Sequence, residues 1–197
     1  MFRRLRLQFI TIASLAILFI LVFTVGIINT VRSFQTEQEI SKVLNTLTEN
    51  NGSFGKTKKI ETNQGHEIPL DSFRFFSVTL SGDKVVSQDT SHTSLIDDEE
   101  AVSYALAASR MTNTLGTIRE KNINLSYQVS KVSKNKILVV FLDTTSYYNS
   151  SQALLSLSIL LSMFGFIFFV VIVSALSGIV IRPFIRNYEK QRRFITN

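Results

Sequence analysis

The sequence predicts an α+β domain carried between two transmembrane helices, and three observations predict it. Two long stretches, residues 7–28 and 153–181, contain no Asp, Glu, Lys or Arg and lie near the two ends of the chain. Between them, several short segments alternate apolar and polar residues with the period of a strand. Among those segments lies one with helical spacing and a capping box at its start.

The second uncharged stretch is 29 residues long, and about 20 residues suffice to cross hydrocarbon as a helix. The first is 22 residues long and passes the same test. A cleaved secretory signal is the rival reading of the N-terminus. Its apolar core is typically about 7–15 residues and ends at a small-x-small site, whereas this run leads into Asn29-Thr30-Val31-Arg32. The residues therefore favour an uncleaved signal anchor.

Charge orients the two spans. Arg3, Arg4 and Arg6 precede the first; the segment between the spans holds 13 basic and 14 acidic residues; the tail after residue 181 holds 5 basic residues and 1 acidic. Positive flanks stay on the cytoplasmic side, so both termini are expected inside and the middle outside. A pI near 9.7 raises nucleic acid as a partner. The basic residues adjoin the spans, however, where anionic lipid headgroups are the natural counter-charge. With no cysteine in the chain, disulfides, thiolate metal sites and a cysteine nucleophile are excluded. The outer domain must stand on its apolar core.

The elements follow in order. Ile40, Val43, Leu44 and Leu47 share one helical face, so the first span is expected to continue outward as a stalk helix over 29–50. The stalk ends at Asn50-Asn51-Gly52, which suits a left-handed C-cap. Residues 53–71 show no period and read as a loop. Phe76, Val78 and Leu80 alternate with Ser77 and Thr79, and the turn Ser81-Gly82-Asp83 leads into Lys84-Val85-Val86-Ser87, a hairpin. Asp97 and Glu100 have capping-box spacing, with Val102, Ala105, Leu106 and Ser109 along one face, predicting a helix over 97–111. Ile123, Leu125, Tyr127 and Val129 alternate strictly with polar residues, a strand buried on one face. Residues 137–142 are apolar throughout, as in a covered strand, and the strand closes at Asp143. A core over 73–143 is expected to fold by itself.

At the C-terminal end a family resemblance appears. The segment Asn187-Tyr188-Glu189-Lys190-Gln191-Arg192-Arg193-Phe194-Ile195-Thr196-Asn197 resembles the lead-in to the phosphoacceptor box of bacterial sensor histidine kinases, in which a Phe and an Asp or Asn at the positions of Phe194 and Asn197 precede Ser-His-Glu. The resemblance implies that the histidine follows Asn197 and that the kinase domain, with its ATP and Mg²⁺, lies beyond these residues. The order of elements also resembles the PAS-like or Cache-like sensor domains of two-span kinases. Phe76-Ser77-Val78-Thr79-Leu80, the helix from Glu99 to Ala105, and Val140-Phe141-Leu142-Asp143 are similar to stretches in sensor kinases of low-GC Gram-positive bacteria. Span length and flanking charge give a cytoplasmic N-terminus (1–6), a first span (7–28), an extracytoplasmic region (29–152), a second span (153–181) and a cytoplasmic tail (182–197); the resemblances imply that the outer region is a sensor and the tail a linker with the start of a dimerisation helix. They imply a homodimer in the bacterial plasma membrane that relays an outside stimulus to histidine autophosphorylation and a response regulator.

Other residues bear on the same reading. Ser174 and Gly178 form a small-x-x-x-small pair suited to close helix packing. Pro183 suits a helix start or a kink. Ile185, Tyr188 and Ile195 continue a stripe that, with the stalk face, could pair in a parallel dimer. About ten residues separate Pro183 from Phe194, too few for a full HAMP module. Asp97, Asp98, Glu99 and Glu100, with His92 upstream, are candidate oxygen and nitrogen ligands for a divalent cation. The competing reading is carboxylates complementing a helix N-terminus, and it is preferred because the spacing matches no ligand motif. His66 reads as a solvated loop residue. No catalytic, cofactor-binding or metal-ligating residue is assigned, because no Ser/His/Asp set, phosphate loop or zinc spacing can be assembled. The alternative outputs are a chemotaxis receptor, a cyclic-dinucleotide synthase, or a stand-alone membrane-anchored binding protein.

Overall fold

A computed structural model describes residues 2–55, 59–61, 67–69, 72–120 and 122–195, with side chains described at Arg4 and, within those ranges, from Arg6 as far as Ser177. His66, Thr196, Asn197, the packing at Gly178 and the side chains of Pro183, Ile185, Tyr188, Phe194 and Ile195 lie outside what is described. The elements, in order, are α1 (Phe2–Glu49), β1 (Lys59–Glu61), β2 (Glu67–Pro69), β3 (Phe75–Ser81), β4 (Lys84–Asp89), α2 (Asp98–Ser109), β5 (Leu115–Glu120), β6 (Ile123–Ser133), β7 (Lys136–Asp143) and α3 (Thr145–Ile195). They form two compact units, residues 1–31 with 152–197, and residues 32–151.

The first unit consists of the apolar parts of α1 and α3. Both helices are long and apolar enough to cross a membrane. Their large apolar side chains face outward: Ile12, Phe19, Leu161 and Phe168 are 68%, 72%, 71% and 68% exposed. A core helix of a water-soluble protein would bury such residues. At one end of the pair, Arg6 Nη2 donates to the Ser174 carbonyl at 2.8 Å.

The second unit is built on a five-stranded antiparallel sheet in the order β4-β3-β7-β6-β5, with the small β1-β2 hairpin beside it. The expected hairpin is β3-β4, turning at Gly82 with φ of 62°. The uniformly apolar 137–142 segment is the central strand β7, paired to β3 on one side and β6 on the other. Covered on both faces, it has no polar alternation to show.

Successive residues of the central strands point to opposite faces, and each face has its own core. Phe75, Leu138, Val140 and Leu142 pack with Ile40, Val43, Leu44 and Leu47 of α1. Phe76, Val78, Leu80, Leu125, Tyr127, Val139 and Phe141 pack with Ala101, Ala105 and Ala108 of α2. Phe76 lies opposite Phe141 across the β3-β7 ladder, and their rings stack at 4.6 Å.

Several expectations are corrected here. The face Ile40-Val43-Leu44-Leu47 is a single stripe, as the spacing predicts, but it is 5%, 2%, 0% and 0% exposed against the sheet. That stripe is therefore not free to pair with a second copy. The compact unit starts at Arg32 rather than at residue 73, because one sheet face has α1 as its cover. In α2 the fully buried residues are Ala101, Ala105 and Ala108; of the predicted stripe, Ala105 is buried and Leu106 packs partly buried against the same core. Small residues let the helix sit close to a sheet surface already filled by Phe76, Tyr127 and Phe141. Two short strands, β1 and β2, lie inside the segment read as a loop; three residues each are too few to show a period. β5 was not anticipated, being an edge strand with mostly exposed residues. Finally, α3 begins at Thr145 and runs continuously through residue 183, so no new helix begins at Pro183.

The termini of the helices follow from local chemistry. α1 ends where Asn51 and Gly52 adopt φ of 56° and 86°, and Gly52 N–H donates to the Leu47 carbonyl at 2.8 Å. This left-handed closure satisfies a carbonyl that the last turn leaves open. α2 starts at its cap Asp97, whose carboxylate accepts from Glu100 N–H at 2.8 Å.

Candidate functional site

The acidic cluster is engaged in structure. Asp97 caps α2, Asp98 Oδ1 accepts from Thr90 Oγ1 at 2.7 Å, and His92 stacks on Phe75 with ring centroids 4.4 Å apart. Carboxylates in a first turn complement the helix dipole. Among the described residues no group of three or more His, Cys, Asp or Glu is placed to hold a metal ion. Nearby, Asp89 accepts from both the hydroxyl and the N–H of Ser91, and these bonds hold its carboxyl below the usual range. On the α2 face, burial, followed by Glu120, pushes the Tyr104 hydroxyl up to about 12.

A different place offers room for a ligand. A cavity of about 260 Å³ opens where β2, the lead into β3, the end of β7 and the first turn of α3 meet. Its walls include Arg74, Asp143, Ser146 and Tyr147, with Ile68 and Phe73 as apolar surface. The antiparallel β3-β7 ladder creates the juxtaposition: Phe75 faces Leu142, and just beyond that pair Asp143 N–H donates to the Arg74 carbonyl at 2.9 Å. Residues about seventy positions apart thus become neighbours.

The two charges in this cavity do not neutralise each other. Arg74 is exposed, and among the described residues the ion pairs are Lys59–Glu67 and Arg110–Asp83. Asp143 uses Oδ1 to accept from Thr145 N–H at 2.9 Å, capping α3. Arg74 and Asp143 thus both border the cavity, and among the described residues they form no ion pair with each other. Such a set can orient a polar ligand but contains no nucleophile with an adjacent base.

The start of α3 is also tied to the sheet. Thr144, fully buried, donates from both N–H and Oγ1 to the Asn124 carbonyl, and Asn124 N–H donates to Thr145 Oγ1 at 2.9 Å. Arg119 lies over the Tyr148 ring at 5.1 Å. In the first unit, a second cavity of about 420 Å³ between the helices is lined by residues such as Leu18, Leu21, Met163 and Phe166, which give a ligand nothing to orient it.

The sequence reading assigned no site at Arg74, Asp143 or Tyr147. Asp143 marked only a strand end, and the signal that could have found the cavity is the β3-β7 register, which no local pattern specifies. Comparison with protein-family models, curated proteins and solved structures matched none of them to this chain.

Proposed function

We propose that this chain is the signal-sensing and transmembrane portion of a two-component sensor histidine kinase of the bacterial plasma membrane. In this reading, residues 32–151 form a PAS-like sensor outside the cell. The observation that carries the proposal is α3: one helix leads from the end of the central strand β7, through the apolar segment, to the basic tail that resembles the approach to a phosphoacceptor box. A stimulus that binds one arrangement of the sensor better than another would shift that helix by translation or rotation.

Supporting the sensor reading is a five-stranded antiparallel sheet with α2 inserted between β4 and β5 and a second helix covering the opposite face. Supporting cytoplasmic termini are the basic flanks and the Arg6–Ser174 contact, which puts Arg6 beside the far part of α3. Dimerisation would rest on the spans and the tail, since the α1 face is occupied. ATP, Mg²⁺ and a response regulator would act on the kinase part.

The test is the reading frame after Asn197 and the activity of the polypeptide it encodes. Ser-His-Glu followed by a nucleotide-binding domain, with acid-labile phosphate on histidine after incubation with labelled ATP and Mg²⁺, is the expected result. A long heptad array would point to a chemotaxis receptor, a cyclase domain to a cyclic-dinucleotide synthase, and an immediate stop codon to an anchored binding protein. Any of these three overturns the kinase reading.

A further inference from the structure

We propose that the end of the sheet formed by the β3-β4 and β6-β7 turns is a docking surface for a soluble phosphate polymer, held by Lys84, Lys131, Lys134 and Lys136. It goes beyond the kinase reading and does not depend on it.

Strand register brings the four residues together. Ser81 pairs with Lys84, Leu80 with Ile137, Lys131 with Ile137, and Ser133 with Lys136. Residues about fifty positions apart therefore meet at one end of β4, β3, β7 and β6. Adjacent strands lie about 4.8 Å apart, which puts the backbones of Lys84 and Lys136, two strands from each other, about 10 Å apart. Alternation along the strands assigns Lys84 and Lys136 to the α1 side of the sheet and Lys131 to the α2 side, with Lys134 in the turn between β6 and β7. Cations surround this end.

Charge sets the end apart from the rest of the unit. All four lysines are exposed, and none has an ion-pair partner among the described residues. The acid in the β3-β4 turn, Asp83, is paired with Arg110 at 3.3 Å. Glu49, which ends α1, is bonded to none of the four. Acids gather at the opposite end of the sheet: Asp89 closes β4, Asp143 closes β7, and the carboxylates from Asp97 to Glu100 open α2, where Asp98 accepts from Thr90 just after β4. The segment between the spans holds 13 basic and 14 acidic residues, so the basic end is segregation of charge rather than a surplus.

Lysine on an edge strand guards it against pairing with another chain. That role accounts for Lys84 on the edge strand β4, and for Lys131 where β6 runs beyond the last pair of the β5-β6 ladder, Leu115 with Gln128. It does not account for Lys136 on the central strand β7 or for Lys134 in its turn.

Shape and position select the partner. The four lysines stand on two turns and line neither described cavity, so they suit a chain that crosses the end of the sheet better than a small ligand. An ammonium is a compact point charge that binds phosphate without the planar match a guanidinium makes with a carboxylate. The polypeptide leaves the sheet for α3 from the opposite end of β7, about 25 Å from Lys136 at the rise of a strand. A polymer in solution, rather than a layer of headgroups, is the partner this placement favours.

The experiment uses the full chain in phosphatidylcholine nanodiscs and follows acetylation of each lysine by mass spectrometry, with and without long-chain inorganic polyphosphate. Lys84, Lys131, Lys134 and Lys136 should be modified several-fold more slowly with the polymer present, while Lys42 and Lys59 keep their rates. The basic tail is followed separately at Lys190, so binding there does not obscure the result. Protection should fade between about 50 and 200 mM salt, across which four phosphate contacts lose roughly 10- to 100-fold in affinity. Lys134→Gln together with Lys136→Gln changes only exposed positions and should weaken the protection of Lys84 and Lys131. Absence of protection at the four lysines, or equal protection at Lys42 and Lys59, overturns the proposal. Equal protection by orthophosphate, by poly-L-glutamate or by phosphatidylglycerol vesicles overturns the assignment to a phosphate polymer, and undiminished protection of Lys84 and Lys131 in the double variant overturns the single surface.

Discussion

Thr144 and Asn124 are joined twice: the Thr144 N–H and Oγ1 both donate to the Asn124 carbonyl, at 2.8 and 3.0 Å. The pair fixes the start of α3 to the beginning of β6. Ser126 Oγ shares the same buried hydroxyl at 3.2 Å. Thr144→Val keeps the shape and removes the hydroxyl, so it should cost about 1 kcal/mol. Thr145→Val leaves the Asn124 N–H without its acceptor and should cost about 1–3 kcal/mol. Chemical denaturation of the full chain, followed by tyrosine fluorescence, measures both; equal stability of all three proteins would show that this junction does not hold the helix.

Leu44 decides between a free stalk and a covered sheet. It is fully buried among Phe75, Leu138 and Val140 and their neighbours. Leu44→Ala should therefore destabilise the unit of residues 32–151 by about 2–5 kcal/mol, the range for emptying a packed site. A stalk seam used only between copies would leave the melt of the isolated monomer unchanged, and the comparison is made at detergent concentrations that keep the chain monomeric.

Gly116 has no room for a side chain. A Cβ there would lie 2.5 Å from Tyr127 Oη, which itself donates to Met111 Sδ at 3.0 Å. Gly116→Ala should cost about 1–3 kcal/mol through forced displacement of the Tyr127 ring. Gly165→Ala is the control: its Cβ would meet nothing within 4 Å, and alanine is the better helix former by about 1 kcal/mol. Similar melting temperatures for the two variants would contradict the packing seen at Tyr127.

Two groups give the unit of residues 32–151 a pH dependence of known sign. The Asp89 carboxyl is lowered by its bonds from Ser91, so its contribution is present above about pH 4 and is lost as pH falls through the lowered folded value. Ser91→Ala should shrink that acid-side loss. Tyr104 is raised to about 12 by burial and Glu120, so its contribution is complete below about pH 10 and is lost as pH rises toward 12. Tyr104→Phe should remove the alkaline step. Melting temperatures from pH 2 to 5 and from 9 to 12 read both effects, and unaltered profiles in the variants would assign the pH dependence to other groups.

The proposed orientation, with both termini inside, rests on the basic flanks at the two ends. A cysteine placed at Ser87, on the exposed strand β4, should react with a membrane-impermeant maleimide in intact cells. One placed at Asn187 should react only after the cells are opened. The reverse pattern would invert the orientation.

Much of this fold is legible in local sequence patterns. The two apolar helices, the Asp97 cap, the turn at Gly82, and the strands of the β3-β4 hairpin, β6 and β7 are all written in local patterns, because charge-free length, capping chemistry and two-residue alternation are properties of neighbours in sequence. The single-faced stripe Ile40-Val43-Leu44-Leu47 was equally visible. What covered it was not, since an apolar face fits a sheet or a second helix equally well, and only the packing of Phe75, Leu138 and Val140 against it selects the sheet. The same limit hid β5, whose exposed edge carries little pattern, and the cavity. Arg74 and Asp143 meet only because β3 and β7 pair in one register, and strand pairing between distant segments is chosen by the whole core rather than by either strand.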